Sequence, residues 1–352
     1  MYNCINDYTI PSRLISTYIR VTKAMLFRLF IFIATLLLVG CDEDVALSKG
    51  TLDQLGNSGV LIGHFSADGS KLVTVDGTNV LHVWETSNRV REFTVPKDKM
   101  PDLVREVVIS QDNSMLIVVG DNELQFWSLP KQKFVTKVSF NGVSGYAYIT
   151  SVALAPTMDK IVVAMSDGTV NMANLHTQVN NQFAPHTRPV MHVQWDDKGE
   201  MVMTAAQDGK LALWQFGSPE PVFTKEFNHR VTSLAVRRDF SEFFVSDALD
   251  NQVIATLLDG ADKSELKYMA RFKVFRKALF IEQSAYLATS SSKSHLTIWD
   301  TKSGNEIGTW QIDTLNAGAT IVDMYAPSRE KLVTLSSDGL LEEWALNMLA
   351  IK

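Results

Sequence analysis

Beyond residue 46 the chain alternates apolar and polar positions in short runs broken by tight polar turns, and the pattern recurs. Val80-Leu-His-Val-Trp84, Glu123-Leu-Gln-Phe-Trp127, Lys210-Leu-Ala-Leu-Trp214, His295-Leu-Thr-Ile-Trp299 and Leu340-Leu-Glu-Glu-Trp344 each close on tryptophan, so five of the seven tryptophans share one role. The same run appears without tryptophan as Thr169-Val-Asn-Met-Ala173 and Gln252-Val-Ile-Ala-Thr256. The seven anchors are separated by 43, 46, 41, 42, 43 and 45 residues. That is the length of a four-stranded unit, which cannot bury its own faces and must stack on its neighbours.

Turn chemistry repeats with the anchors. Asp121, Asp167, Asp208, Asp250 and Asp338 stand six residues before an anchor, and Gly168, Gly209 and Gly339 follow three of them directly. Aspartate and glycine tolerate the left-handed backbone of a short hairpin. A second turn upstream recurs as Ser66-Ala-Asp-Gly69, Ser110-Gln-Asp-Asn113, Asp196-Asp-Lys-Gly199 and Pro327-Ser-Arg-Glu330. Stretches such as Lys302-Ser-Gly-Asn-Glu-Ile-Gly-Thr-Trp310 supply an outer strand.

On these residues the chain resembles the WD-repeat β-propeller family over roughly Ala46 to Lys352. The resemblance implies an all-β, seven-bladed propeller. The fourth unit is nearest to the family pattern, with His186, Thr204, Asp208 and Trp214 at the positions of a structural hydrogen-bond network. Trp84, Trp127, Trp299 and Trp344 are the blade anchors. His229 is expected to make a similar contact in the fifth unit, whose anchor is Thr256. The third and fifth units lack the tryptophan, and most units lack the family's Gly-His pair.

After Trp344 too few residues remain for an outer strand, whereas residues 45–55 precede the first inner strand. That segment is predicted to be the missing outer strand of the last blade, closing the ring and removing an open edge.

The amino-terminal region has a different character. Residues 25–40 open with Met25 and Arg28 and continue as an almost uninterrupted apolar run, too short for the ~20 residues that cross a bilayer. The run reads as a signal-peptide core. Leu38-Val39-Gly40-Cys41 resembles the lipobox of bacterial lipoproteins, which implies lipidation of the Cys41 thiol and cleavage before it. An uncleaved anchor or an ordinary secretory signal is the alternative. Asp42 resembles the inner-membrane retention signal of enteric-like bacteria, favouring an inner-membrane position facing the periplasm. Residues 1–24 are expected to be an extension upstream of the true start at Met25, and residues 41–45 the lipidated cysteine and a short tether.

Composition narrows the function. Removing the first forty residues leaves 29 basic and 38 acidic residues, and an acidic surface disfavours nucleic acid. Cys4 and Cys41 are the two cysteines, so the repeats hold no disulfide or thiol-based metal site. The seven histidines are scattered among several units, and His82 and His295 read as exposed sheet positions. No phosphate loop, nucleophile elbow or zinc helix is present in the sequence. No cofactor or metal is expected, and a monomer is.

The expected activity is therefore a non-enzymatic protein-binding scaffold at the cell envelope, held to a membrane by its lipid. A propeller-class enzyme, of lactonase or quinone-dependent dehydrogenase type, is the alternative. Arg105, Tyr148, Arg188, Arg230 and Lys273 lie in or near connections into the inner strands and are the candidate face for a protein or peptide partner.

Overall fold

The computed structural model describes residues 47–346 apart from Asn57, Asp250, residues 269–273 and Glu282. Cys41, Asp42 and Lys273 lie outside the described residues, as does the amino-terminal region in which a lipobox is expected. No described helix is long and apolar enough to cross a membrane.

The described residues form seven four-stranded antiparallel sheets. Blades 1 to 6 span residues 60–95, 106–139, 149–183, 190–226, 231–265 and 275–311. Blade 7 takes three strands from residues 321–345 and its outer strand from Ser48–Gln54. First strands of successive blades touch one another all the way round, blade 7 meeting blade 1, so the sheets make a closed ring with the first strands innermost.

Burial follows from that arrangement. Second strands read as continuous apolar runs, for instance Leu116–Val119 and Ile161–Met165, because both faces of a blade are covered by neighbours. Outer strands keep one edge in water, and Lys133–Ser139 is exposed throughout. Hydrophobic clusters fill the seams between blades. Val75, Leu81 and Val107 sit between blades 1 and 2, and Phe244, Phe275 and Trp299 between blades 5 and 6.

The ring closes as the sequence predicted. Ser48 pairs with Ala345 and Gln54 with Leu340 in antiparallel register. Arg89 of blade 1 fastens this strand from the neighbouring blade: its Nη2 donates to Thr51 Oγ1 at 2.9 Å and to Glu343 Oε1 at 3.0 Å, and its Nε lies against Asp53. Lys49 adds a pair to Asp313 at 2.7 Å and to the nearly buried Glu342 at 3.0 Å.

Two glycines of the Asp-Gly turns are required by shape. Gly168 and Gly209 have φ of +91° and +84°, and a Cβ there would meet the carbonyl oxygens of His186 and Phe227 at 2.0 and 2.4 Å. The turn of each blade is thus pressed against the connection into the next.

Six first strands carry a one-residue bulge near their start, at Leu61, Thr150, Met191, Thr232, Arg276 and Val322. A bulge leaves the extra residue unpaired and re-aims its side chain. Here the six extra residues stand where the chain enters the ring.

Candidate partner-binding face

Strands alternate in direction, so the connections into the first strands and the turns between second and third strands share one face, called upper here. The network of blade 4 builds this face. His186 Nδ1 lies 3.3 Å from both Asp208 carboxylate oxygens, His186 Nε2 lies 3.0 Å from Thr204 Oγ1, and Trp214 Nε1 donates to the same hydroxyl at 3.0 Å. Asp208 also accepts the main-chain N–H groups of Thr187 and Lys210 at 2.9 Å each. Burial pushes the Asp208 carboxyl up, but these donors outweigh it and hold the carboxyl well below its ordinary range. A carboxylate so occupied ties a turn to a loop.

Half of that network recurs in a form the sequence reading missed. Trp84 donates to Thr74, Trp299 to Thr289 and Trp344 to Thr334, at 2.9, 2.8 and 3.1 Å. Each threonine stands ten residues before its tryptophan, a spacing legible in the sequence. Trp127 has Ile117 at that position and finds Gln125 at 3.4 Å instead. His82 departs from its expected exposure: it is partly buried, 3.6 Å from Asp76 and edge-on to Trp84. His295 is also half-buried.

The named surface residues separate on inspection. Arg105 is not free: its Nε donates to Asp121 at 2.6 Å and its guanidinium lies 3.8 Å over the Tyr148 ring. Arg188 and Arg230 are exposed, immediately ahead of the first strands of blades 4 and 5, and have no ion pair among the described residues. Arg276, a bulge residue of blade 6, is exposed and likewise unpaired.

Exposed apolar side chains gather on the same face. Tyr146 is 96% exposed, Val143 72% and Leu61 69%, with Leu103, Tyr148 and Leu315 beside them in the same set of connections. The turns of the opposite face are built from Ser-Asp and Asp-Gly pairs, such as Ser66 with Asp68 and Ser110 with Asp112, and expose Val179 and Leu258.

The innermost strands carry a polar set that sequence reading did not assemble. Glu106, Ser151, His192, Ser233, Lys277 and Asp323 occupy equivalent positions of the first strands of blades 2 to 7. An innermost strand has a free edge, and neighbours cover part of it: Glu106 accepts the Val152 N–H at 2.7 Å, and Asp323 the Phe65 N–H at 3.0 Å. Thr150 similarly donates to the Val190 carbonyl at 2.5 Å.

Lys277 stands 3.5 Å from Asp323 and acts electrically across the ring. Burial raises the Glu106 carboxyl to about 7, opposed by the Val152 N–H and by Lys277. Burial lowers His192 to about 4, and Lys277 lowers it further. His64 is lowered by burial too, with Asp323 opposing and Lys277 adding to the shift. Lys277 thus bears on groups of blades 1, 2 and 4 from the innermost strand of blade 6.

Among the described residues no group of three His, Cys, Asp or Glu side chains is placed to hold a metal. The face thus offers a rigid rim, apolar and basic patches, and a polar neck.

A family model described as the anaphase-promoting complex subunit 4 WD40 domain matches residues 152–238. That match falls on blades 3 to 5, and the seven four-stranded blades with the Trp, Thr, His and Asp network carry the same likeness around the ring. The chain is a seven-bladed β-propeller whose repeats are similar to WD repeats. It is similar to the apoptotic protease-activating factor 1 of Rattus norvegicus, at 23% identity over 177 residues, which covers 50% of this chain and 13% of that protein. Protein Rae1 of Drosophila melanogaster is 23% identical over 280 residues, covering 74% of this chain and 79% of that one. The COMPASS component SWD3 of Saccharomyces cerevisiae is 23% identical over 174 residues, covering 47% and 55%. Such a propeller fits the role of a protein-binding scaffold.

Proposed function

We propose that the protein is a lipid-anchored, non-enzymatic scaffold of the bacterial cell envelope that holds a protein or peptide partner on the upper face of its propeller. The observation that carries the binding half is the gathering of Tyr146, Val143 and Leu61 with the unpaired Arg188 and Arg230 on one face. Exposed large apolar side chains collected on one face suit an interaction site, and arginine and tyrosine are enriched where binding energy concentrates. Beside these arginines, the carboxylates of Asp208 and Asp247 accept main-chain N–H groups.

The lipid half is supported by Leu38-Val39-Gly40-Cys41 at the end of an apolar run. Several acyl chains on Cys41 would make attachment effectively stable. The strand Ser48–Gln54 begins a few residues later, so the tether is short. Asp42 then favours the inner membrane.

Each half has its own test. A photoreactive amino acid at Tyr146 should capture a protein partner in intact cells, and one at Leu258 on the opposite face should not; equal capture from both removes the face assignment. Cys41→Ala should abolish labelling by radioactive palmitate and leave the precursor uncleaved. Normal labelling of that variant would refute the lipoprotein reading.

A further inference from the structure

The upper face is electrically lopsided, and its asymmetry specifies a partner. Arg188, Arg230 and Arg276 stand at the starts of the first strands of blades 4, 5 and 6, so three consecutive blades each bring to one arc of the channel mouth an exposed guanidinium with no ion pair among the described residues. Lys277 lies one residue inside Arg276, and its ammonium touches Asp323 alone among the described carboxylates, at 3.5 Å. Two described carboxylates of this arc already have partners. Asp208 is held by His186 and two N–H groups, and Asp247 accepts the N–H groups of Leu249 and Asn251.

The other arc differs in kind. Among the connections into blades 1 to 3, Arg105 is neutralised by Asp121 and stacked on Tyr148. The exposed charges there, Lys97, Asp98, Lys99 and Asp102, balance in sign, and beside them Leu61, Leu103, Val143 and Tyr146 are exposed apolar or aromatic side chains. A free guanidinium presents a planar fork that matches carboxylate geometry. Apolar side chains a few residues away along an extended chain would reach the opposite arc. A flat bilayer meets the rim first, whereas Lys277 stands on an innermost strand, 3.5 Å from Asp323 of the next blade.

We infer that the partner presents an extended acidic segment, its carboxylates over Arg188, Arg230, Arg276 and Lys277 and its apolar side chains on the arc of Leu61, Leu103 and Tyr146. This rests on the upper face being the binding face and adds the chemistry of what it binds.

The probe is a fluorescein-labelled peptide of alternating Leu and Asp, with Leu/Asn and Leu/Lys peptides of equal length, titrated against the full chain in detergent by anisotropy. The Leu/Asp peptide should bind best and weaken as salt rises, because exposed ion pairs are screened. Arg188→Glu with Arg230→Glu should weaken it by about tenfold or more without moving the thermal midpoint, since charge reversal at an interface both removes attraction and adds repulsion. Tyr148→Ala should weaken it less. Lys133→Glu with Lys137→Glu, on the outer strand of blade 2, should leave it unchanged.

Equal affinity for the Leu/Asn peptide, or indifference to the arginine reversals, overturns the inference. So does tighter binding of an oligothymidylate or of phosphatidylglycerol vesicles, or self-association of the chain that excludes the peptide. Capture of a partner from Tyr146 in cells despite such a result would leave the binding face standing and remove only the acidic segment.

Discussion

At the scale of single residues, the Thr204 hydroxyl matters more than its size suggests. It serves His186 Nε2 and Trp214 Nε1 together in a site that is fully buried. Thr204→Val keeps the volume and strands both partners, so a loss of about 1–3 kcal/mol is expected from urea unfolding. Trp214→Ala leaves a void and should cost about 3–5 kcal/mol. Full stability of Thr204→Val would show that the network is ornamental.

Channel residues give a second test through pH. Glu106 has a raised carboxyl in the folded state, about 7, so its ionisation opposes folding and stability falls as pH rises between the ordinary carboxyl range and about 7. His192 is lowered to about 4, so its protonation opposes folding and stability falls as pH drops from the ordinary histidine range to about 4. The two slopes oppose each other where their windows overlap, and His64, Lys277 and Asp323 face the same space. Relative to the unaltered chain, Glu106→Gln should make stability rise more steeply with pH between about 5 and 7. His192→Asn should tilt it the other way. Parallel profiles for all three proteins would mean that the channel groups do not titrate against folding.

At the scale of elements, the strand Ser48–Gln54 joins the two ends of the ring. It pairs with Leu340–Ala345 and is fastened from blade 1 by Arg89. A protein beginning at Gly56 would expose the edge of blade 7, and open edges recruit other chains. Compared with one beginning at Asp42 and lacking Cys41, it should unfold at lower urea and sediment as oligomers. Arg89→Ala should reproduce part of the instability without the association, because the strand remains. If both shortened proteins were equally stable and monomeric, closure by this strand would contribute nothing measurable.

At the scale of the whole molecule, division of labour between the faces organises function. The lower face is made of short polar turns, whereas the upper face combines longer connections, bulged strand starts and the channel mouth. Rigid seams between blades hold the upper loops in fixed relation, which is what a scaffold requires of a binding surface. Beginning translation at Met25 should leave membrane attachment intact, measured by palmitate labelling and fractionation. Failure of that protein to reach the membrane would make residues 1–24 part of the working chain.

The sequence by itself determined the ring and its anchors. Local alternation, tryptophans about one blade apart and Asp-Gly turns are properties of contiguous residues, and a β-strand's period of two exposes them directly. Even the Thr-to-Trp spacing was readable, because the two strands that carry it are joined by a short hairpin. The closing strand was also legible, since a four-stranded blade leaves a deficit at one end and a surplus at the other. What tertiary structure decided was which distant side chains meet. His64, Glu106, His192, Lys277 and Asp323 come from five blades and converge only because the ring closes. The same closure neutralised Arg105 on Asp121 and Tyr148 while leaving Arg188 and Arg230 bare. Spacing along the chain carries no record of such pairs, because ring geometry and inter-blade packing bring together residues that sequence separation keeps apart.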